Sequence, residues 1–216
     1  MPAAPPEGPF DAEYYRRFYR DPVTRVHGAR EIARLARGVT GTVRWFGGKL
    51  GTVLDVGAGT GLWRDWMVRH VKGVRYRSIE VSAHACEAYG HERQDISEWR
   101  VPQAFDLIVC QGVLPYLDDR ACARAIDNIG AMSGGFLYLE AITRRDLEEV
   151  CDKELTDVKV HPRTGDWYRE RLDRHFEEIG CGLWSARKKK GPAIGFYELE
   201  AASFRGTATP TRARRT

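Results

Sequence analysis

The chain has 216 residues, 43% of them hydrophobic, which suits one cored domain, or one domain with a lid. Its formal net charge of +4 resides in the tail: "SFRGTATPTRARRT" carries Arg205, Arg212, Arg214 and Arg215 and no acid, so residues 1–202 are neutral, which argues against a nucleic-acid-binding body. The five cysteines are widely spaced, with no Cys-x-x-Cys. They fit reduced thiols in a cytoplasmic protein and offer no metal site, and no stretch reads as a signal peptide or a membrane span.

Residues 1–10 are rich in proline and alanine and read as a disordered end. Asp11 reads as the N-cap of a helix over "AEYYRRFYR" that stops before Pro22. A second helix fits "HGAREIARLARG", with Ile32, Leu35 and Ala36 on one face and Gly38 at its end. Residues 11–50 are thus a helical cap or lid ahead of a main domain spanning 51–202, and 203–216 form a disordered basic tail.

From Thr52 strands and helices alternate. "TVLDV" reads as a strand and "GLWRDWMVRHVK" as a helix. "VRYRSIEV" is a strand, "SAHACEAYG" a short helix and "HERQDI" a short edge strand. "FDLIVCQG" is an unbroken apolar run, hence a strand buried on both faces. "DDRACARAIDNIG" is a helix capped by Asp118, and "GGFLYLEAI" is another buried strand. This rhythm predicts a parallel α/β sheet. After a charged stretch from Thr143 to Arg163, "GDWYRERLDRHFEEIG" reads as one helix with Tyr168, Leu172, Phe176 and Ile179 facing inward. "CGLWSARKKKGPAIGFYELEA" then reads as two strands joined by a short turn, and so antiparallel.

"TVLDVGAGTGLW" places Asp55 at the end of a buried strand and glycines at 57, 59 and 61. Glycines there permit left-handed backbone and let a ligand approach the main chain, at the carboxyl end of the first strand, where α/β sheets bind ligands. The spacing is Gly-x-Gly-x-Gly. A dinucleotide fingerprint would need glycine where Leu62 stands, which counts against a nicotinamide or flavin enzyme. Glu80 ends the second strand, where an acid bonds ribose hydroxyls. Asp95 in "RQDI" could accept from an exocyclic amine.

"VLDVGAGTG", "SIEVS", "QDI" and "FDLIVCQGVLPYLDD", with a closing strand pair, resemble the class I S-adenosylmethionine-dependent methyltransferases across roughly residues 52–201. The resemblance implies a Rossmann-like seven-stranded, mostly parallel sheet in the order 3-2-1-4-5-7-6, strand 7 antiparallel, with helices on both faces and an N-terminal helical lid. It implies S-adenosyl-L-methionine as cofactor, S-adenosyl-L-homocysteine as product and no metal. It implies that Asp55, Gly57, Ala58, Gly59 and Gly61 seat the methionine part, Glu80 and Val81 the ribose, Asp95 and Ile96 the adenine, and Cys110 and Gln111 the floor near the sulfonium.

The methyl acceptor is reached by elimination. "CQGVLPYL" lacks the Asn/Asp-Pro-Pro-Tyr/Phe of the amine-methylating DNA enzymes and the Pro-Cys of cytosine C5 enzymes. It also lacks the carboxylates of metal-dependent catechol-type enzymes. What remains is a small-molecule acceptor, taken by a monomer or homodimer. Methyl transfer from a sulfonium is an in-line displacement, so alignment matters most and a base is needed only for a protonated nucleophile. Candidate bases are His161 and Tyr15, with His175, Tyr14 and Glu140 behind them, and Trp167 and Tyr168 are candidate walls. Arg187–Lys190, read as a turn at the cofactor side, would favour an acidic acceptor. A protein or peptide methyltransferase and a non-catalytic partner that binds the cofactor remain open beside this reading.

Overall fold

The protein is described here from a computed structural model, which covers residues 9–187 and Leu199. The tail 203–216, the strand expected after Gly191, Lys188–Lys190 and most of the expected N-terminal disordered end lie outside the described residues.

Seven strands form one sheet in the order β3-β2-β1-β4-β5-β7-β6. They are β1 (Thr52–Val56), β2 (Arg75–Glu80), β3 (Glu92–Arg93), β4 (Phe105–Gln111), β5 (Ser133–Glu140), β6 (Phe176–Gly180) and β7 (Leu183–Ala186). The first five are parallel, and β7 runs antiparallel to both β5 and β6. The expected topology therefore holds. β1 is buried along its whole length and β4 nearly so, because helices cover both faces of the sheet. On one face α5 (Asp119–Met132) and α7 (Gly165–Leu172) close a core around Leu54, Ile108, Leu137 and Phe176. On the other, α2 (Ala29–Trp45) and α3 (Leu62–His70) close a core around Val53, Met67, Val109 and Phe136.

The remaining helices are short. α1 (Ala12–Tyr15) runs into a π-helical turn (Arg16–Arg20), and Asp11 caps it by accepting from Tyr14 N–H at 2.8 Å. α4 (Ala83–Tyr89) is capped by Ser82 and ends at Gly90, which is left-handed. α6 (Arg144–Glu149) begins with a reciprocal Thr143–Asp146 cap.

Two elements differ from expectation. α2 does not stop at Gly38 but continues to Trp45. A mid-helix glycine costs ~1 kcal/mol relative to alanine, and burial of Val39, Thr40 and Val43 beyond it outweighs that. The expected helix over 165–180 is α7 followed by β6. Tyr168, Leu172, Phe176 and Ile179 are all buried, but Phe176 and Ile179 enter opposite cores, as strand positions an odd number apart do. Cys181 (φ 51°) and Gly182 (φ 76°) make the two-residue turn into β7, the left-handed pair a tight hairpin requires.

Candidate functional site

The carboxyl ends of β1, β2, β4 and β5 carry the site. β1 runs into the loop Gly57–Gly61, whose Gly57 and Ala58 N–H groups both donate to Ile79 carbonyl, at 2.9 and 3.1 Å. Gly57 has φ +67°, and a Cβ there would lie 2.3 Å from Val113 Cγ2. Gly59 has φ +56°, and Tyr15 and Tyr19 pack over it. Gly57 therefore needs glycine for backbone angle and for room, and Gly59 for backbone angle. Beneath the loop, the buried His91 spans Ser78 Oγ (2.9 Å) and the Gly59 carbonyl (3.1 Å). Its Nε2–H must donate to the carbonyl, so Nδ1 accepts from Ser78. Burial lowers its pKa, in keeping with a neutral strut. Nothing in the sequence pattern marked His91.

The three acids divide along a channel. Asp55 is 2% exposed and accepts from Tyr76 Oη at 2.8 Å, its hydrogen-bond partner among the described residues. Burial pushes its carboxyl up to about 7, with the Tyr76 bond opposing and the Glu80 charge adding. Glu80 is also buried. It accepts from Gly59 N–H at 3.0 Å, Val81 N–H at 2.7 Å and Ser82 N–H at 3.0 Å. A carboxylate offers about four acceptor sites, which leaves room for one more donor. Asp95 spends Oδ1 on Ser97 N–H at 2.8 Å and leaves Oδ2 without a donor among the described residues.

Two cavities meet here. The smaller, about 170 Å³, is bounded by Glu80, Val81, Asp95 and Ile96 and roofed by Phe10 and Tyr15. The larger, about 440 Å³, has Asp55, Ala58, Gly59 and Glu140 at its base and the segment 142–160 along its side. Gly57, Gln111, Gly112, Tyr14, Tyr19 and Tyr116 border both, and so mark the junction. Phe10 packs edge-on against Tyr14 and Tyr116, whose hydroxyls lie 2.9 Å apart.

Of the residues expected to hold the cofactor, Cys110 and Gly61 border neither cavity. Cys110 is fully buried beside Leu114 and Cys122, and burial drives its thiol far up. Gly61 is the left-handed N-cap of α3. Tyr15 faces the smaller cavity, and burial, then the Glu80 charge, raises its phenol well above the ordinary value. It is held as a protonated donor. His161 is exposed and borders neither cavity; its backbone N–H donates to Pro115 carbonyl at 2.8 Å. His175 pairs with Asp127 at 2.8 Å and packs on Gly130 of α5. Trp167 stacks under Arg163 and Arg171 and, like Tyr168, lies outside both cavities. Arg187 follows the antiparallel β7, so it leaves the sheet at the end opposite the site and donates to Asp173 carbonyl at 2.8 Å. Its expected contribution to the mouth of the site is not found, because the strand before it runs the other way.

The donor set fits the cofactor that the sequence resemblance implies. A buried carboxylate driven up to about 7 is matched to an ammonium, which would restore its charge. The glycine loop is a cradle a Cβ would fill, and Glu80 and Asp95 keep acceptors for hydroxyl and amine donors. Among the described residues no cluster of three His, Cys, Asp or Glu side chains could hold a metal ion, and no helix is long and apolar enough to cross a membrane.

Comparison with known proteins adds the following. The family model described as a methyltransferase domain matches residues 12–187. No curated protein matches the sequence. The fold is similar to the N-methyltransferase NodS from Bradyrhizobium japonicum WM9, in complex with S-adenosyl-L-homocysteine. Identity is 22% over 74% of this chain and 85% of that one, with a TM-score of 0.52. It is similar to the magnesium protoporphyrin IX methyltransferase ChlM from Synechocystis PCC 6803 with bound SAM (16% identity, 82% and 92% covered, TM-score 0.54). It is also similar to an S-adenosylmethionine-dependent methyltransferase from Clostridium acetobutylicum ATCC 824 (14% identity, 85% and 93% covered, TM-score 0.59).

Proposed function

Because the chain belongs to the family of methyltransferase domains, we propose that it is an S-adenosyl-L-methionine-dependent methyltransferase of a small-molecule acceptor, working in the cytoplasm. One observation carries the reading: two cavities of unequal size share a common border at Gly57, Gln111 and Gly112. The smaller takes the nucleoside end of the cofactor, with Asp95 and Ile96 at the base and Glu80 at the sugar. Asp55, at the floor of the larger, takes the amino group. When bound, the cofactor supplies a methyl group activated by its positive sulfur.

The chain's own contribution is alignment and exclusion of water. Tyr14, Tyr19 and Tyr116 line the junction, and aromatic rings are favourable neighbours for a cation. Holding acceptor and donor in register converts a bimolecular encounter into a unimolecular one, worth up to ~7–11 kcal/mol of barrier. The larger cavity, about 440 Å³, lies within the range of small-molecule sites. The N-terminal segment and residues 142–160 cover it, which favours a small acceptor over a protein surface. The five cysteines are free, as a reducing compartment would keep them.

The test is to incubate the protein with methyl-labelled S-adenosylmethionine and a cell extract divided by size. Protein-dependent label is expected in a small molecule that chromatography separates from S-adenosylmethionine itself. Label confined to the protein fraction would overturn the acceptor class and favour the protein-methylating alternative.

A further inference from the structure

The larger cavity holds a second pair of titratable groups that cofactor binding does not use. His27 lies in the loop before α2, and its Nε2 faces Glu140 Oε1 at 3.7 Å, an ion pair when the imidazole is protonated. Both residues border the cavity. Glu140 is pinned: its Oε2 accepts from Gln111 Nε2 and Tyr138 Oη, each at 3.1 Å. Gln111 is pinned in turn, since its Oε1 accepts from Trp63 Nε1 at 2.7 Å. A relay of fixed groups thus aims one carboxylate oxygen at His27, beside the junction where a methyl group would pass. The side walls are apolar, with Phe18, Ile32, Leu62, Ile142, Leu155 and Val160. His27, Gln111 and Glu140 form one polar group in the cavity, and Arg25, Asp55, Thr60 and Asp157 supply further polar lining.

Resting on the methyltransferase reading, we propose that His27, backed by Glu140, is the proton acceptor for an amphipathic small molecule whose nucleophile is a hydroxyl or an ammonium. A hydroxyl passes its proton to Nδ1 of His27 as its oxygen lone pair attacks the methyl carbon, and an ammonium passes its proton first and attacks as the free amine, while Nε2–H stays directed at Glu140. The electron pair of the carbon–sulfur bond stays on sulfur, leaving a neutral thioether. Side-chain exposure of 37% gives His27 a path for returning the proton to water. The competing bases are weaker candidates for physical reasons. Glu140 is depressed by His27, Tyr138 and Gln111, against the upward push of its burial. Tyr14, Tyr15 and Tyr116 are raised by burial and stay protonated. Asp55 is bonded to Tyr76.

Glu140 from β5 and Glu31 from α2 act on His27, and Arg25 from its own loop, Asp55 and Asp157 border the same cavity. Bonding to Glu140 comes first and raises the imidazole, against the opposing effect of burial. The pair suits a base that works near neutrality.

Two measurements test this on the full-length protein. NMR titration of His27 without cofactor should give a midpoint above the ordinary imidazole value, returning toward that value in Glu140→Gln. An unchanged midpoint would overturn the pairing. The second uses 4-nitrophenol as an apolar, proton-bearing probe with protein saturated in S-adenosylhomocysteine. At mildly acidic pH its phenolate absorbance should rise on binding to the wild type, and this rise should be lost in His27→Asn. Equal ionisation in the two proteins, or no binding by the loaded wild type, would overturn the assignment. S-adenosylhomocysteine affinity measured on the same samples separates the two failures: its absence removes the methyltransferase reading itself, and its presence confines the failure to His27.

Discussion

Asp55 ties stability to function at the residue scale. Its carboxyl is pushed from 3.8 up to about 7 in the folded chain. Between those values the folded protein holds a proton the unfolded chain has released, so stability falls as pH rises from about 4 to about 7 and levels off above. At ~1.4 kcal/mol per pH unit the penalty is on the order of 4 kcal/mol. Asp55→Asn should therefore raise the Tm of the cofactor-free protein at pH 8 and leave it nearly unchanged at pH 4, while weakening S-adenosylhomocysteine binding by tenfold or more. Thermal scans at the two pH values check this, and equal shifts at both would contradict it. Gly57→Ala is predicted to act by geometry instead. A side chain in left-handed backbone costs ~1–2 kcal/mol, and its Cβ would displace Val113 across the cavity junction. Calorimetry should show cofactor affinity falling more than that stability loss accounts for. Asp55, Glu80 and Asp95 were legible because strand ends and glycines announce positions on the chain. His27 and His91 were not, because their roles depend on partners that other strands bring: Glu140 from β5, and Ser78 and Gly59 from β2 and the loop after β1.

At the scale of elements, short segments far apart in sequence wall the cavities, each held by few bonds. The N-terminal segment depends on the Asp11 cap, on Ser82 Oγ donating to Phe10 carbonyl at 2.6 Å and on Arg20 donating to Tyr89 Oη at 2.6 Å. Asp11→Ala should cost ~1 kcal/mol locally. Because α1 and Phe10 roof the smaller cavity, the cost should appear as a severalfold rise in the Kd for S-adenosylhomocysteine with little change in Tm. The segment 143–164 is fastened by Arg163, 4% exposed, which donates to Asp119 at 2.8 Å and to the carbonyls of Leu114 and Leu117. Arg163→Ala is expected to lose ~3 kcal/mol, or about 6–12 °C in Tm for a chain of this size. Differential scanning calorimetry checks it, and a shift within error would show that the segment is held elsewhere. The misreading of 165–180 belongs here too. Buried residues at 168, 172, 176 and 179 mimic a helix period, and only the hairpin turn at Cys181–Gly182 reveals that the last two belong to a strand.

The whole molecule is an α/β sheet whose carboxyl edge does the work. Its strand order was legible because alternating strands and helices leave few topologies, but the sequence pattern places the closing pair one strand too late: Leu183–Ala186 is the antiparallel β7 and pairs with β6, whose residues read as helix. What covers that edge was less so. The coverings are the N-terminal segment and residues 142–160, where short helices alternate with irregular chain, and their packing determines the cavity an acceptor sees.

The most direct measurement is calorimetric titration of S-adenosylhomocysteine into the wild type and Asp55→Ala, run near pH 7 in two buffers of different ionisation enthalpy. The buried Asp55 carboxyl, raised to about 7, predicts micromolar binding by the wild type, with release of about half a proton as the ligand's ammonium restores its charge. Both should be lost in the variant. No binding by the folded wild type, or equal binding by Asp55→Ala with no proton released by either, would contradict this.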